Sequence, residues 1–261
     1  MTKAIQCAFS VDGDGPPLFM IHGIGNRRQS WDRIAELMKG EFQCIRYDLR
    51  GHSESPLPDG IFGLDELVED LEDLRRRLGV ERAHFVGISL GGMIGPAYAR
   101  SYPERVESLT LVNTAAFRTD DDRAKVQAVI TAIETRGLEP VLDTLVTRWF
   151  TDAFVRERPD VVAARKAQLL EMNLDVFLNV FRIYAGTEMG PWLNEITAPT
   201  LVMTGELDGG CSPRLNTQIA AALPNSEYVV LDGLKHGTVA EAPERVGGLL
   251  LKFLRARLST S

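Results

Sequence analysis

The apolar positions of this chain are grouped in short, largely continuous runs. The six runs cover residues 18–21, 44–47, 84–88, 109–112, 200–203 and 228–231. A strand with one face in water alternates apolar and polar residues, whereas a strand buried on both faces of a parallel sheet carries a continuous apolar run. The pattern therefore predicts six strands of a sheet that is covered on both sides.

Helical periods lie between these runs. Apolar residues from Leu64 to Leu74 form one stripe, and Gly79 follows where a glycine commonly ends a helix. A second stripe runs from Val246 to Phe253. Strands that alternate with helices predict an α/β fold with a mostly parallel, doubly wound sheet and right-handed crossovers.

One region departs from this alternation. From about Arg118 to Glu195 the chain shows only helical periods, and the strand pattern resumes at Pro199. We expect residues 118–195 to form a helical cap over one edge of the sheet, with residues 1–117 and 196–261 forming the core. A separate helical domain or additional crossover helices are the alternative interpretations.

Composition limits the kinds of partner that the chain can have. With 44% hydrophobic and 25% charged residues it has the composition of a globular protein. Its net charge of −7 provides no basic surface for nucleic acid. No window approaches the roughly 18 consecutive apolar residues of a membrane span. We therefore expect a small-molecule partner, and neither nucleic acid nor a membrane; oligomeric state has no signature in the sequence.

The cysteines indicate the compartment. Cys7, Cys44 and Cys211 form no C-x-x-C pair, and an odd, sparse set is typical of reduced thiols. The first apolar stretch is interrupted by polar residues and does not resemble a signal peptide. These features predict a cytoplasmic protein.

A glycine-rich pentapeptide follows the third predicted strand. It reads GISLG at residues 87–91, and a helical pattern begins directly after it. In the pattern G-x-S-x-G the serine lies on a tight strand-to-helix turn, where a Cβ at either glycine would crowd the backbone. Such a pentapeptide alone is also compatible with an ordinary glycine-rich turn. Its position between a buried strand and a helix favours Ser89 as a nucleophile.

A serine nucleophile needs a base, and the chain has four histidines. His84 begins the strand before the serine and should lie at the opposite end of the sheet. His22 and His52 follow earlier strands, and His236 follows the last one. Because loops at the carboxyl ends of parallel strands converge on one site, we predict that His236 is the base.

The acid that orients the base should follow another strand. Asp208 lies in the loop after residues 200–203, although an aspartate before two glycines is also typical of a plain turn. The strand after the serine ends in Asn113, which is not a carboxylate, so the main competing position is removed. The predicted set is therefore Ser89, Asp208 and His236, in that chain order.

This order and the surrounding motifs resemble those of the α/β-hydrolase superfamily along essentially the whole chain. The motifs are HGIG at 22–25, DLRGHSES at 48–55, GISLGG at 87–92, GELD at 205–208, and His236 followed by EAPE at 241–244. Within the superfamily, the loop from Gly25 to Trp31, the strand end at 46–48 and the run at 210–213 look most like 3-oxoadipate enol-lactonases. One departure lies at the N-terminus, where the family usually has two hairpin strands and residues 1–15 have room for little more than one.

The resemblance implies a hydrolase that cleaves a small ester or lactone through an acyl-enzyme. His236 would remove the proton of Ser89, and Asp208 would hold the imidazole. The oxyanion would be held by the backbone N–H groups of Ile24 and Leu90. Haloalkane dehalogenases and epoxide hydrolases of this fold carry aspartate at the serine position and are excluded. Carbon–carbon bond hydrolases, cofactor-free haloperoxidases and triad-retaining ligand receptors remain alternatives.

Neither a phosphate-binding loop nor a histidine pair with metal spacing occurs in the sequence, so no cofactor or metal is implied. The predicted substrate carries a carboxylate, and 3-oxoadipate enol-lactone is the candidate. Arg27 and Arg28 follow the HGIG turn and could bind that carboxylate. Two solvated arginines on the surface are an equally good interpretation. Trp149 and Trp192, in the predicted cap, are candidates for the pocket wall; aromatic residues at helical spacing are more often packing residues.

Overall fold

The computed structural model describes residues 4–258, which form a seven-stranded sheet with the order β1-β3-β2-β4-β5-β6-β7. The strands are β1 (Phe9–Asp12), β2 (Pro17–Ile21), β3 (Gln43–Tyr47), β4 (Ala83–Ile88), β5 (Val106–Val112), β6 (Thr200–Gly205) and β7 (Ser226–Leu231). β1 pairs antiparallel with β3, and the other neighbours are parallel. The six predicted strands and the mostly parallel sheet are confirmed.

The edge formed by the N-terminal segment carries one strand in the described residues. β1 pairs with β3 from Phe9 opposite Tyr47 to Asp12 opposite Cys44. This agrees with the prediction that the segment has room for little more than one strand. Residues 1–3 of that segment lie outside the described range.

Helices cover both faces of the sheet. They are α1 (Asp32–Met38), α2 (Leu64–Arg77), α3 (Gly91–Ser101), α4 (Asp120–Arg136), α5 (Leu142–Trp149), α6 (Asp152–Glu157), α7 (Pro159–Glu171), α8 (Leu174–Gly186), α9 (Pro213–Ala222), α10 (Thr238–Glu241) and α11 (Pro243–Leu258). On β2, Leu18 and Met20 belong to the buried cluster that includes α1 and α11, whereas Phe19 and Ile21 belong to the cluster that includes α2, α3 and α9. Successive side chains of a strand point to opposite faces of the sheet. An apolar core on each face therefore requires the continuous apolar runs seen in the sequence.

Between β5 and β6 the chain forms α4 to α8 and a 3₁₀ turn over Gly190–Glu195, with no strand. We refer to residues 118–195 as the helical segment. Its helices share a separate apolar cluster that includes Ile130, Leu145, Phe177 and Phe181. Tyr184 of α8 instead packs into the core beneath, so α8 joins the segment to the sheet layer.

The three cysteines are buried and unpaired, in agreement with the prediction of reduced thiols. Within the described range, none of the helices has the length and apolar character needed to cross a membrane. β4, β5, β6 and β7 are consecutive neighbours in the sheet, so the loops at their carboxyl ends meet at one edge. The predicted site residues Ser89, Asp208 and His236 all follow these strands.

Candidate active site

Ser89 occupies a strained turn between β4 and α3. Its φ is +56°, a left-handed conformation that is uncommon for a residue with a side chain. A Cβ on Gly87 would lie 2.1 Å from the carbonyl oxygen of Gly91, and a Cβ on Gly91 would lie 2.3 Å from that of Ile21. The two glycines of the pentapeptide are therefore required by backbone packing, and the turn presents Ser89 at the edge of the sheet.

Asp208 and His236 form a hydrogen-bonded pair beside this turn. The Nδ1 atom of His236 lies 2.7 Å from Oδ2 of Asp208. Asp208 is buried in the loop after β6, and His236 lies in the loop after β7. This geometry leaves Nε2 of His236 as the ring nitrogen available to a nucleophile.

The Asp208 carboxylate is held by several donors. Its Oδ1 accepts hydrogen bonds from the backbone N–H groups of Gly210 (2.9 Å) and Cys211 (2.8 Å). Its Oδ2, which is bonded to His236, also accepts a hydrogen bond from Nδ2 of Asn113 (2.7 Å). Burial alone would raise the pKa of Asp208, but the positive charge of His236 and these hydrogen bonds lower it below its ordinary value. Asp208 is therefore ionised at neutral pH.

The same pair changes the basicity of His236. Burial alone would lower the pKa of His236, but the adjacent Asp208 carboxylate raises it well above the usual 6.5. The imidazolium form is thus stabilised where a proton must be held temporarily during acyl transfer.

Asn113 is a site residue that the sequence reasoning missed, because the argument there treated it only as a non-carboxylate. It directly follows β5 with a φ of +46°, and its side-chain amide bridges two groups. Nδ2 donates to Asp208, while Oδ1 accepts from the hydroxyl of Thr238 at 2.7 Å. Its place between the ends of β4 and β6 was the available signal.

The backbone around Ile24 lies directly against Ser89. A Cβ on Gly23 would lie 3.1 Å from Cβ of Ser89 and 3.7 Å from its Oγ, so a larger residue here would crowd the serine. Throughout residues 4–258, the N–H groups of Ile24 and Leu90 have no acceptor within the protein. Two unpaired donors beside a serine are the arrangement that an oxyanion requires.

Two buried histidines hold this turn in place. Nε2 of His22 accepts a hydrogen bond from the N–H of Leu49 (3.0 Å), so its Nδ1 carries the hydrogen and donates to Gly23 O (2.8 Å). Nε2 of His52 likewise accepts from the N–H of Gly25 at 3.2 Å. Burial lowers the pKa of His22 to about 4 and that of His52 to about 3, so both rings are neutral.

A cavity of about 810 Å³ joins these parts. Ser89, Asp208 and His236 line it from the sheet side. Its other wall comes from α4, α5, α7 and α8 and includes Val129, Trp149, Ala164, Arg165, Phe181 and Tyr184. The helical segment thus lies over the serine, not on the remote face of the sheet.

Of the four predicted substrate-binding side chains, two line the cavity. Arg27 and Trp149 belong to its wall. Arg28 does not: its guanidinium is bound by Asp48 and Glu54 and donates to the Ser10 hydroxyl at 3.1 Å.

Trp192 does not line the cavity either. It lies in the 3₁₀ turn at the end of the helical segment, under the guanidinium of Arg100 at 5.3 Å. The predictions for Arg28 and Trp192 are therefore wrong in position. Adjacency in sequence placed Arg28 near the site, but its charge is already neutralised by buried and surface carboxylates.

Asp208, Cys211 and His236 also form a cluster whose potential metal-ligand atoms lie within 4.8 Å of one another. Both oxygens of Asp208 already accept hydrogen bonds, and Sγ of Cys211 lies 3.1 Å from the hydroxyl of Tyr184. The donor set is accounted for by the acid–base pair, so we do not interpret it as a metal centre.

The fold and site have the features of a known enzyme class. The family described as α/β hydrolase fold matches residues 16–243, and the chain belongs to this family.

Particular relatives narrow the class. The chain is 29% identical over 205 residues to 3-oxoadipate enol-lactonase 2 of Acinetobacter baylyi, covering 78% of this chain and 76% of that one. It is 25% identical over 254 residues to enol-lactonase 1 of the same organism, covering 97% and 94%. A thermophilic esterase from Thermogutta terrifontis, with malate bound, superimposes with a TM-score of 0.89 at 27% identity, covering 98% and 97%. The chain is thus a hydrolase similar to enol-lactonases, as its sequence motifs predicted.

The two neutral histidines predict how stability depends on pH. An unfolded histidine has a pKa near 6.5, so between about pH 6.5 and 4 these two side chains bind more protons in the unfolded chain than in the folded one. Their contribution to stability should therefore fall as the pH decreases through this window, by on the order of 1 kcal/mol per pH unit for each of the two. In His52→Gln the amide oxygen can still accept from Gly25 without titrating, and urea unfolding at pH 7 and pH 5 should show a smaller difference than in wild type. An equal difference in both proteins would contradict this assignment.

Proposed function

We propose that the protein is a serine hydrolase that cleaves a small ester or lactone through an acyl-enzyme. The observation that carries this proposal is the 2.7 Å hydrogen bond between His236 and Asp208 in the wall of the cavity that Ser89 also lines. The strained turn at Ser89 and the family membership support it.

In the proposed reaction His236 accepts the proton of Ser89 as Oγ attacks the carbonyl carbon. The tetrahedral oxyanion is stabilised by the N–H groups of Ile24 and Leu90, and the imidazolium by Asp208. His236 then returns the proton to the leaving oxygen, and a water molecule cleaves the acyl-enzyme by the same steps. An enol leaving group departs as a stabilised enolate and needs little acid catalysis.

We further propose that the helical segment, residues 118–195, is a cap on a core made of residues 1–117 and 196–261. Its helices provide most of the apolar wall of the cavity, including Val129, Phe181 and Tyr184. A cap of this kind excludes water from the serine and shapes the pocket to one substrate class.

The proposed substrate carries a carboxylate, and 3-oxoadipate enol-lactone is the best candidate. Three arginines on the cavity wall, Arg27, Arg148 and Arg165, form no salt bridge with any residue in the range 4–258. The protein is acidic overall, so an anion must be attracted by such a local positive site. The enol-lactonase relatives and the malate in the related esterase support this substrate class.

Carboxylates on the cavity wall do not cancel this local charge. Asp122 is paired with Arg214, and Asp160 is paired with Arg158 at 2.9 Å. Asp208 is paired with His236. The charged side chains of the wall that form no salt bridge within residues 4–258 are therefore cationic.

The first test of this function is Ser89→Ala. It should lower steady-state turnover of p-nitrophenyl acetate by at least about a thousandfold and leave the circular dichroism spectrum unchanged, because only the nucleophile is lost. Ser101→Ala, at the exposed end of α3, which follows Ser89, is the matched control and should behave as wild type.

Wild-type activity in Ser89→Ala would refute the mechanism. A single burst that stalls in the wild type would instead favour a ligand receptor. Esters, lactones and vinylogous 1,5-diketones should be compared, because preference for the diketone would favour carbon–carbon bond hydrolysis.

The second test concerns Arg27. A charge-assisted hydrogen bond contributes about 1.5–3 kcal/mol, so Arg27→Ala should lower kcat/KM for the carboxylate-bearing lactone by roughly ten- to a hundredfold. The methyl ester of the same lactone should show no such loss.

Arg156→Ala makes the same change in net charge at an exposed position outside the cavity wall, and it should leave both substrates unaffected. If Arg27→Ala affects the anionic and neutral substrates equally, or neither, recognition of the carboxylate by Arg27 is refuted.

A further inference from the structure

One face of α7 contacts the backbone that carries Ile24. The guanidinium of Arg165 donates from Nη2 to the carbonyl oxygen of Ile24 at 3.1 Å, and from Nη1 to that of Gly25. Nε2 of Gln168 donates to the same Gly25 oxygen at 3.1 Å. These side chains are three residues apart and therefore lie on one side of the helix.

Apolar side chains of the helical segment also pack against this turn. Gly25 has a φ of +61°, and a Cβ at this position would lie 2.6 Å from Leu169 and 2.8 Å from Phe177 of the helical segment. A side chain at Gly25 would therefore displace α7 and α8. The turn and the helical segment fit each other along both the polar and the apolar side.

Arg165 is an unusual group to find here, because it has no carboxylate partner in the described part of the chain. Burial and the nearby charge of Arg27 lower the pKa of Arg165 to about 9. Its charge is compensated by the two carbonyl groups and by the face of Trp149, 5.0 Å away. Burial of a cation without a carboxylate partner is unfavourable, which indicates a specific role for these contacts.

Hydrogen bonds hold three carbonyl groups and one N–H group of this turn. His22 binds Gly23 O, His52 binds Gly25 N–H, and Arg165 binds the carbonyl groups of Ile24 and Gly25. The N–H of Ile24, next to Ser89, has no acceptor in the described part of the chain. The two histidines belong to the core, whereas Arg165 belongs to the helical segment.

We propose that Arg165 is a positioning residue that orients the Ile24 peptide as an oxyanion donor, so that docking of α7 and assembly of the oxyanion site occur together. This inference rests on the proposed function, because it assigns the N–H of Ile24 to the oxyanion. Arg165 adds to the positive charge of the cavity wall, but its donors are directed at the Ile24 and Gly25 carbonyl groups, so it acts on the transition state through the backbone. Displacement of α7 would leave Ser89, Asp208 and His236 in place but misalign one donor.

The kinetic test is Arg165→Met, which keeps an unbranched side chain near Trp149 and removes every donor. For a neutral ester, kcat should fall by roughly ten- to a hundredfold with KM unchanged, below the ~10²–10³ lost when an oxyanion donor is removed outright. The affinity for a boronic acid that forms a tetrahedral adduct with Ser89 should fall by the same factor. Arg165→Lys should recover part of the loss, since an ammonium can bind one carbonyl but not both.

Lys166→Met is the matched control. Lys166 is the next residue of α7 and pairs with Asp143 on the surface, so its loss should leave kcat and boronate affinity as in wild type. A loss confined to KM of the anionic lactone in Arg165→Met would make Arg165 a carboxylate-binding residue and overturn the proposal. Unchanged kinetics would overturn it as well.

Hydrogen exchange tests the contact between Arg165 and the turn at Ile24 without any substrate. Amides of residues 22–28 should exchange faster in Arg165→Met than in wild type and Lys166→Met, and equal exchange in all three would overturn the proposal. If wild type hydrolyses no ester or lactone, the proposed function fails by itself, and exchange alone then decides whether Arg165 orders the turn.

Discussion

The hydrogen bond between Asp208 and His236 is the interaction on which the rest of the site depends. A carboxylate that is buried to this degree is stable in the ionised form only if hydrogen bonds and a neighbouring positive charge replace its water. Donors come from the Asp208 loop itself, from Asn113 at the end of β5 and from His236 after β7. The order of strands in the sheet is what brings these three loops together.

The turn that carries Ile24 is also held by buried polar groups, but these groups are neutral. His22 and His52 are buried without a carboxylate, and burial holds both rings uncharged, so that each can accept a backbone N–H and donate to a carbonyl. Glycine at position 23 then allows this turn to touch Ser89. The ionised Asp208–His236 pair and the ordered turn at Gly23 and Ile24 therefore line the same cavity as Ser89.

Much of this arrangement could be predicted from the sequence, because it depends on local patterns. Continuous apolar runs gave the six strands, and glycine spacing gave the turn at Ser89. Arg28 was misplaced because sequence adjacency does not determine which way a side chain points.

Asn113 and Arg165 were missed for another reason. Their decisive contacts join residues 95 and 141 positions apart, to Asp208 and Ile24 respectively. No local periodicity reports such contacts. They follow only from the strand order and from the way the helical segment folds back over the sheet.

The pH dependence of kcat/KM in wild type and Asp208→Asn tests the central claim most directly. His236 must be neutral to accept the proton of Ser89, so activity should fall as the pH decreases through the pKa of His236, which Asp208 raises above 6.5. Asp208→Asn should lower activity by about 10⁴, and its residual acid limb should lie at lower pH, because the carboxylate that raises the pKa is gone. Acid limbs with the same midpoint in both proteins would contradict the account.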